Sequence, residues 1–172
     1  MSVPQRIAIT GASGLIGTAL VGHLKAEGHT VQRLVRRTPV GPDEVQWDPQ
    51  TGFVDLEPLR GVDAVIHLAG VGVGDKRWSK KYKSEILNSR LLGTTAIANA
   101  VAELKPQVFI SASAIGWYGE SGNRAVVETD RAGDDFELVL EAVTNLVEVG
   151  LIEVEQTFET NIRALTRGER NR

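Results

Sequence analysis

The chain has 172 residues, 42% of them hydrophobic and 24% charged, with a net charge of −3 at pH 7 and no cysteine. This length suits one compact domain plus a tail, and the composition is that of an ordinary soluble globular protein. It excludes a disulfide framework and any thiolate nucleophile or metal site, and the acidic balance argues against general nucleic-acid binding, which needs a basic surface.

Every apolar run is broken by Gly, Thr or charge before the roughly 20 residues of a membrane-spanning helix. The N-terminus lacks a basic-then-apolar signal pattern, so the expected location is the cytoplasm, with no membrane partner. His23, His29 and His67 are too scattered to suggest a metal site.

In chain order, RIAIT (residues 6–10) is a short β-branched run that stops at glycine. The following segment places Leu15, Ile16, Ala19, Leu20 and Leu24 at helical spacing, with Gly28 as a C-terminal stop. TVQRLVR (30–36) resumes strand character and completes a βαβ unit. Residues 38–52 hold three prolines and two glycines and read as loop, with a short strand around Val45 to Trp47. DAVIHLAG (63–70) is nearly continuous in apolar residues, as suits a strand buried on both faces of a parallel sheet. Ile86, Leu87, Leu91, Ile97, Ala98 and Val101 support one long helix from Lys80 to Leu104, ended by Pro106, and QVFISAS (107–113) is the next strand. Strands alternating with helices predict an α/β fold with a doubly wound parallel sheet of Rossmann type.

Gly11, Gly14 and Gly17 in TGASGLIG are spaced three and three between the first strand and the first helix. A helix N-terminus offers free N–H groups and the positive end of its dipole to an anion. In that context Gly11 permits the tight turn, Gly14 lets backbone approach a pyrophosphate, and Gly17 lets the helix pack closely on the strand. The segment therefore reads as a dinucleotide site, with a merely structural turn as the alternative.

A site for NAD usually carries Asp or Glu about 20 residues beyond the loop, where it accepts from the ribose hydroxyls. Here that place is taken by Arg36, followed by Arg37. A guanidinium pairs with a 2′-phosphate that a carboxylate would repel, so NADP is favoured, with NAD also admitted. The other reading of the two arginines is a solvent-exposed strand end.

Taken together, TGASGLIG, DAVIHLAG and ISASAIGWYG resemble the extended short-chain dehydrogenase/reductases, which include NAD-dependent epimerases and dehydratases. DKRWSKKYKSEILNSRLLGT, SASAIGWYGE and ETDRAGDDF narrow the resemblance to the atypical epimerase-family proteins of bacteria and organelles, over about residues 5–136. The resemblance implies that Gly11, Ser13, Gly14, Leu15, Ile16 and Gly17 line the pyrophosphate and that Arg36, with Arg37 beside it, meets the adenosine phosphate. It also implies that Leu68, Ala69 and Gly70 place backbone beside the adenine-side ribose, and that Arg77, Lys83 and Arg90 match family positions. A basic run of that kind also suits a solvated helix face.

Hydride transfer on a carbonyl or hydroxyl of a small-molecule substrate is the chemistry the resemblance implies, with Ser113 polarising the oxygen. The superfamily's Tyr-x-x-x-Lys pair is missing: Tyr82 is followed four residues on by Ile86, and Tyr118 by Gly122. Tyr118 is a candidate proton donor or substrate-positioning group, or equally aromatic packing at a loop base. The alternative functional readings are a non-catalytic NADP-binding sensor or interaction module, and an inactive fragment.

The expected organisation is an NAD(P)-binding domain over residues 1–136 and a divergent tail over 137–172, without the family's substrate domain. In the tail, residues 137–148 suit a helix, 149–155 a strand and 156–167 a second helix. An uncovered strand at 107–113 would expose backbone groups and favour a homodimer; the tail covering that edge is the expected arrangement.

Overall fold

The computed structural model describes residues 3–112, Tyr118, Gly122, 124–127 and 129–130, and the backbone pairing of Arg163–Ala164. In chain order its elements are β1 (Arg6–Thr10), α1 (Leu15–Ala26), β2 (Thr30–Val35), β3 (Glu44–Asp48), β4 (Phe53–Val54), a 3-10 turn (Glu57–Leu59), β5 (Ala64–His67), α2 (Lys80–Leu104), β6 (Val108–Ser111) and β7 (Arg163–Ala164). They form one sheet in the order β4-β3-β2-β1-β5-β6-β7. The five central strands are parallel; β4 and β7 run antiparallel at the two edges.

Alternation along the strands sends side chains to two cores. Ala8, Leu34, Val45, Val65 and Phe109 face α2, where Ile97, Ala98 and Val101 pack on them together with Trp47 and Leu59. Ile7, Ile9, Val31, Ala64 and Ile66 face the other way, toward α1. With one helix on each face of a parallel sheet, the doubly wound α/β fold expected from the sequence is the one observed.

The helices differ from expectation in one respect. On α1, Leu20, Val21 and Leu24 pack on the sheet, whereas Leu15 and Ile16 are 92% and 69% exposed and Ala19 is also exposed. The side chains of the first turn of α1 are outside the cluster that packs on the sheet. The long helix α2 matches its expected bounds. Ser79 caps its start by accepting from the Tyr82 amide, and Lys105 ends it in the left-handed conformation just before Pro106.

β4 directly follows the stretch expected to be loop and has no counterpart among the expected elements. Gly52, at φ +76°, makes the turn that lets Phe53 and Val54 pair back on Asp48 and Trp47. Residues 163–164, expected within a helix, pair instead with Ile110 and Phe109 of β6. The open edge of β6 offers backbone partners that outweigh a local helical preference. The remainder of the tail and the boundary at 136 lie outside the described residues.

Phe109 is fully buried between the sheet and α2. Phe109→Ala is expected to lower unfolding free energy by about 3–5 kcal/mol. By contrast, Leu15→Ala is expected to stay within about 0.5 kcal/mol of the parent. Urea unfolding followed by circular dichroism checks both.

Candidate functional site

Register places the site. Thr10 pairs with Leu34 of β2 and with His67 of β5, so β1, β2 and β5 end together at one edge of the sheet. The chain leaves β1 toward β2 and returns to β1's other side as β5, which opens a crevice where the strand order reverses. A cavity of about 1050 Å³ fills that crevice, lined by Gly11–Gly14, by Arg33–Arg37 with Glu44, by Leu68–Gly72, and by Lys81, Ser84, Glu85, Asn88 and Ser89 of α2.

Its floor is the glycine loop. Gly11 has φ +69°, and a Cβ there would lie 2.8–2.9 Å from the Leu68 carbonyl and the Ala69 amide nitrogen. Only glycine lets the two turns approach so closely. A Cβ at Gly17 would overlap the Gly11 carbonyl oxygen, so this glycine serves the loop itself rather than a strand. Gly14 is the N-cap of α1, with no side chain capping the helix and no acidic residue in its first turn. The opening amides of α1 are therefore left available, unlike those of α2, which Ser79 caps.

Packed against that loop is the turn after β5. Thr10 Oγ1 accepts from the amides of Leu68 at 3.1 Å and Ala69 at 3.2 Å, fixing the turn to β1. Further on, Ser89 Oγ accepts from the Val71 amide, Arg90 donates to the Val71 carbonyl, and the Tyr82 hydroxyl donates to the Gly72 carbonyl. Arg90 is thus occupied by backbone. Arg77 and Lys83 are exposed, and the Lys83 ammonium stands 5.7 Å from the centre of the Trp78 ring.

At the end of β2 the two arginines part company. Arg37 donates both Nη atoms to the Glu44 carboxylate, at 2.7 and 2.6 Å. Glu44, whose side chain is 2% exposed, also accepts from the Val40 amide and pairs with Arg33. The Arg37 hydrogen bonds, then that of the Val40 amide, pull the Glu44 pKa down to about 2. Asp43, held by Arg33 and Lys25, is likewise lowered. Arg36 is exposed, lines the cavity, and makes no hydrogen bond or ion pair among the described residues.

Of the residues singled out from the sequence, Gly11, Ser13, Gly14, Arg36, Arg37, Leu68, Ala69 and Gly70 therefore meet around one cavity. Leu15, Ile16 and Gly17 stand just behind the loop, at the start of α1. Tyr118 is 9% exposed, its hydroxyl has no hydrogen-bond partner among the described residues, and it is not part of the described cavity lining. Ser113 lies outside the described residues. Sequence reasoning missed Glu44, Thr10 and Ser89. An acid placed at the head of the apolar run EVQW, shortly after three arginines, was the available signal for Glu44.

The profile of the NAD dependent epimerase/dehydratase family matches residues 7–136. The chain belongs to that family. An epimerase family protein of Mycobacterium leprae is 45% identical over 130 residues, covering 76% of this chain and 42% of that protein. The epimerase family protein SDR39U1 of Bos taurus is 32% identical over 164 residues, covering 93% of this chain and 53% of that protein. Among solved structures, the nucleoside-diphosphate sugar epimerase of Corynebacterium glutamicum superposes with a TM-score of 0.70 at 36% identity, over 86% of this chain and 32% of that one. Human SDR39U1 (isoform 2), solved with NADPH, superposes with a TM-score of 0.67 at 28% identity, over 88% of this chain and 50% of that one. This epimerase-family chain spans about half the length of the curated relatives it matches.

The Glu44 cluster is open to a pH test. Its carboxyl is held near 2 when folded, against an ordinary 4.5, so its contribution is complete above pH 4.5 and is lost as pH falls toward 2. Glu44→Gln is expected to lower the urea midpoint at pH 7 and to flatten its decline over that acid range. An unchanged acid slope would place the loss in other carboxylates.

Proposed function

We propose that this chain binds a nicotinamide dinucleotide in the crevice, NADP in preference to NAD, as the cofactor half of an oxidoreductase acting on a carbonyl or hydroxyl carbon. The observation that carries the reading is the Arg36 guanidinium, which lines the same cavity as the glycine loop with no hydrogen bond or ion pair among the described residues, while its neighbour Arg37 is neutralised by Glu44. A free guanidinium suits a 2′-phosphate, and no unpaired carboxylate stands at the end of β2 to hold an unsubstituted ribose.

The residues present fit such a group. Gly11 lets the glycine loop pack directly on the Leu68–Ala69 turn where any side chain would clash, and the start of α1 presents amides to a pyrophosphate. The bound nicotinamide supplies hydride chemistry. Ser113, two residues beyond β6, is assigned to polarise the substrate oxygen, and Tyr118 to positioning or proton exchange. That human SDR39U1 was solved with NADPH, and that the Corynebacterium glutamicum neighbour is a nucleoside-diphosphate sugar epimerase, supports a dinucleotide and a small-molecule substrate. A cytoplasmic setting is part of the same proposal.

A second reading, a cofactor-binding module without turnover, is favoured by one feature of the sequence: neither tyrosine is followed four residues on by lysine. Titration with NADPH and NADH, read by nicotinamide fluorescence, tests the cofactor assignment. NADPH is expected to bind at least about tenfold more tightly, with Arg36→Ala removing that margin and leaving NADH little changed, as the loss of one charge-assisted contact implies. Equal affinity for both cofactors in the parent chain would refute the preference.

A further inference from the structure

His67 is the one histidine in the core, 3% exposed at the end of β5, and the proposed chemistry does not use it. Its Nδ1 lies 2.7 Å from Thr10 Oγ1, and its Nε2 lies 3.5 Å from Thr94 Oγ1 on α2. The same Thr10 oxygen accepts the Leu68 and Ala69 amides, the Leu68 amide being shared with the Thr10 main-chain carbonyl at 3.3 Å. A hydroxyl has one proton and two acceptor lone pairs. With both lone pairs taken by amides, the Thr10 proton has one remaining partner, His67 Nδ1. The imidazole is then neutral, with its own proton on Nε2 directed at Thr94.

We infer that His67 is a positioning residue for the cofactor site: by accepting the Thr10 hydroxyl proton it frees both Thr10 lone pairs to hold the Leu68–Ala69 turn. The inference deepens the cofactor assignment and rests on it for its consequence, since that turn is the wall against which Gly11 is packed.

Protonating the ring would put a second proton between Nδ1 and Thr10 Oγ1. The hydroxyl would have to rotate and give up an amide to accept from the imidazolium, loosening the turn. Among the described residues, the groups facing the ring are Thr10 from β1, Trp47 from β3, and Gly93 and Thr94 from α2; none of these is charged. No described carboxylate therefore offsets the desolvation of an imidazolium, and burial lowers the His67 pKa to about 4. The unfolded chain takes up its proton near 6.5, so the folded arrangement is unaffected above that pH and fails as pH falls through about 4.

The test uses the full chain with 15N-labelled histidine, His67 being assigned through His67→Asn. At pH 7 its imidazole is expected as the neutral Nε2–H tautomer; an Nδ1–H tautomer or an imidazolium overturns the inference whether or not any cofactor binds. Relative to the intrinsic exchange rate, the Leu68 and Ala69 amides should lose protection between pH 5 and about 3.5 before their neighbours Val65 and Ile66, and simultaneous loss at all four sites also overturns it. In calorimetric titrations with NADP+, Thr10→Val is expected to bind about tenfold more weakly and Thr10→Ser like the parent. Equal binding by all three contradicts the positioning role. A parent chain that binds no NADP+ while showing the expected tautomer and exchange refutes the cofactor assignment alone.

Discussion

The pairing of β1 with β5 is the constraint on which the rest depends. These strands are far apart in sequence, yet Thr10 sits opposite His67 in the parallel register, and each strand runs into a glycine-containing turn at the same edge. Slipping that register by one residue would turn every side chain of β5 to the other face. It would separate the Gly11 turn from Leu68 and Ala69 and remove the Thr10 hydroxyl from their amides. The crevice is thus a consequence of strand pairing before it is a property of any loop.

Around that pairing the site divides its electrostatic work. Glu44 is deeply buried yet ionised, because Arg37, Arg33 and the Val40 amide surround it. A buried carboxylate without such partners would be costly. The same cluster pins the short return from β2 to β3, where Arg33 also takes the Asp43 carbonyl with its backbone amide. Arg36, one residue from this cluster, is left outside it and faces the cavity. Two adjacent arginines that are indistinguishable in sequence are therefore unlike in the fold.

The two helix starts show a similar division. α2 satisfies its own first turn with Ser79, as suits a helix whose task is packing. α1 has glycine at its N-cap and an exposed Leu15 and Ile16 after it, an arrangement poor for local stability and suited to receiving an anion. Membership of the epimerase/dehydratase family accounts for the shared scaffold, while the substrate remains a matter for the site.

Much of this was legible in the sequence because local rules were strong there. RIAIT and DAVIHLAG carry the apolar runs of doubly buried strands, residues 80–104 keep a helical period up to Pro106, and the three glycines sit between a strand and a helix. Those features determined the α/β class, the doubly wound parallel sheet and the place of the glycine loop. Where only a few residues pair, as at Phe53–Val54 and Arg163–Ala164, the partner strand decided the conformation and no local pattern announced it. The surroundings of Glu44, Arg36 and His67 were likewise set by tertiary structure, because they depend on which groups the fold brings beside each. Charge pairing and hydroxyl sharing are relations across strands, and the linear chain carries no record of them until β1, β2, β3 and β5 stand side by side.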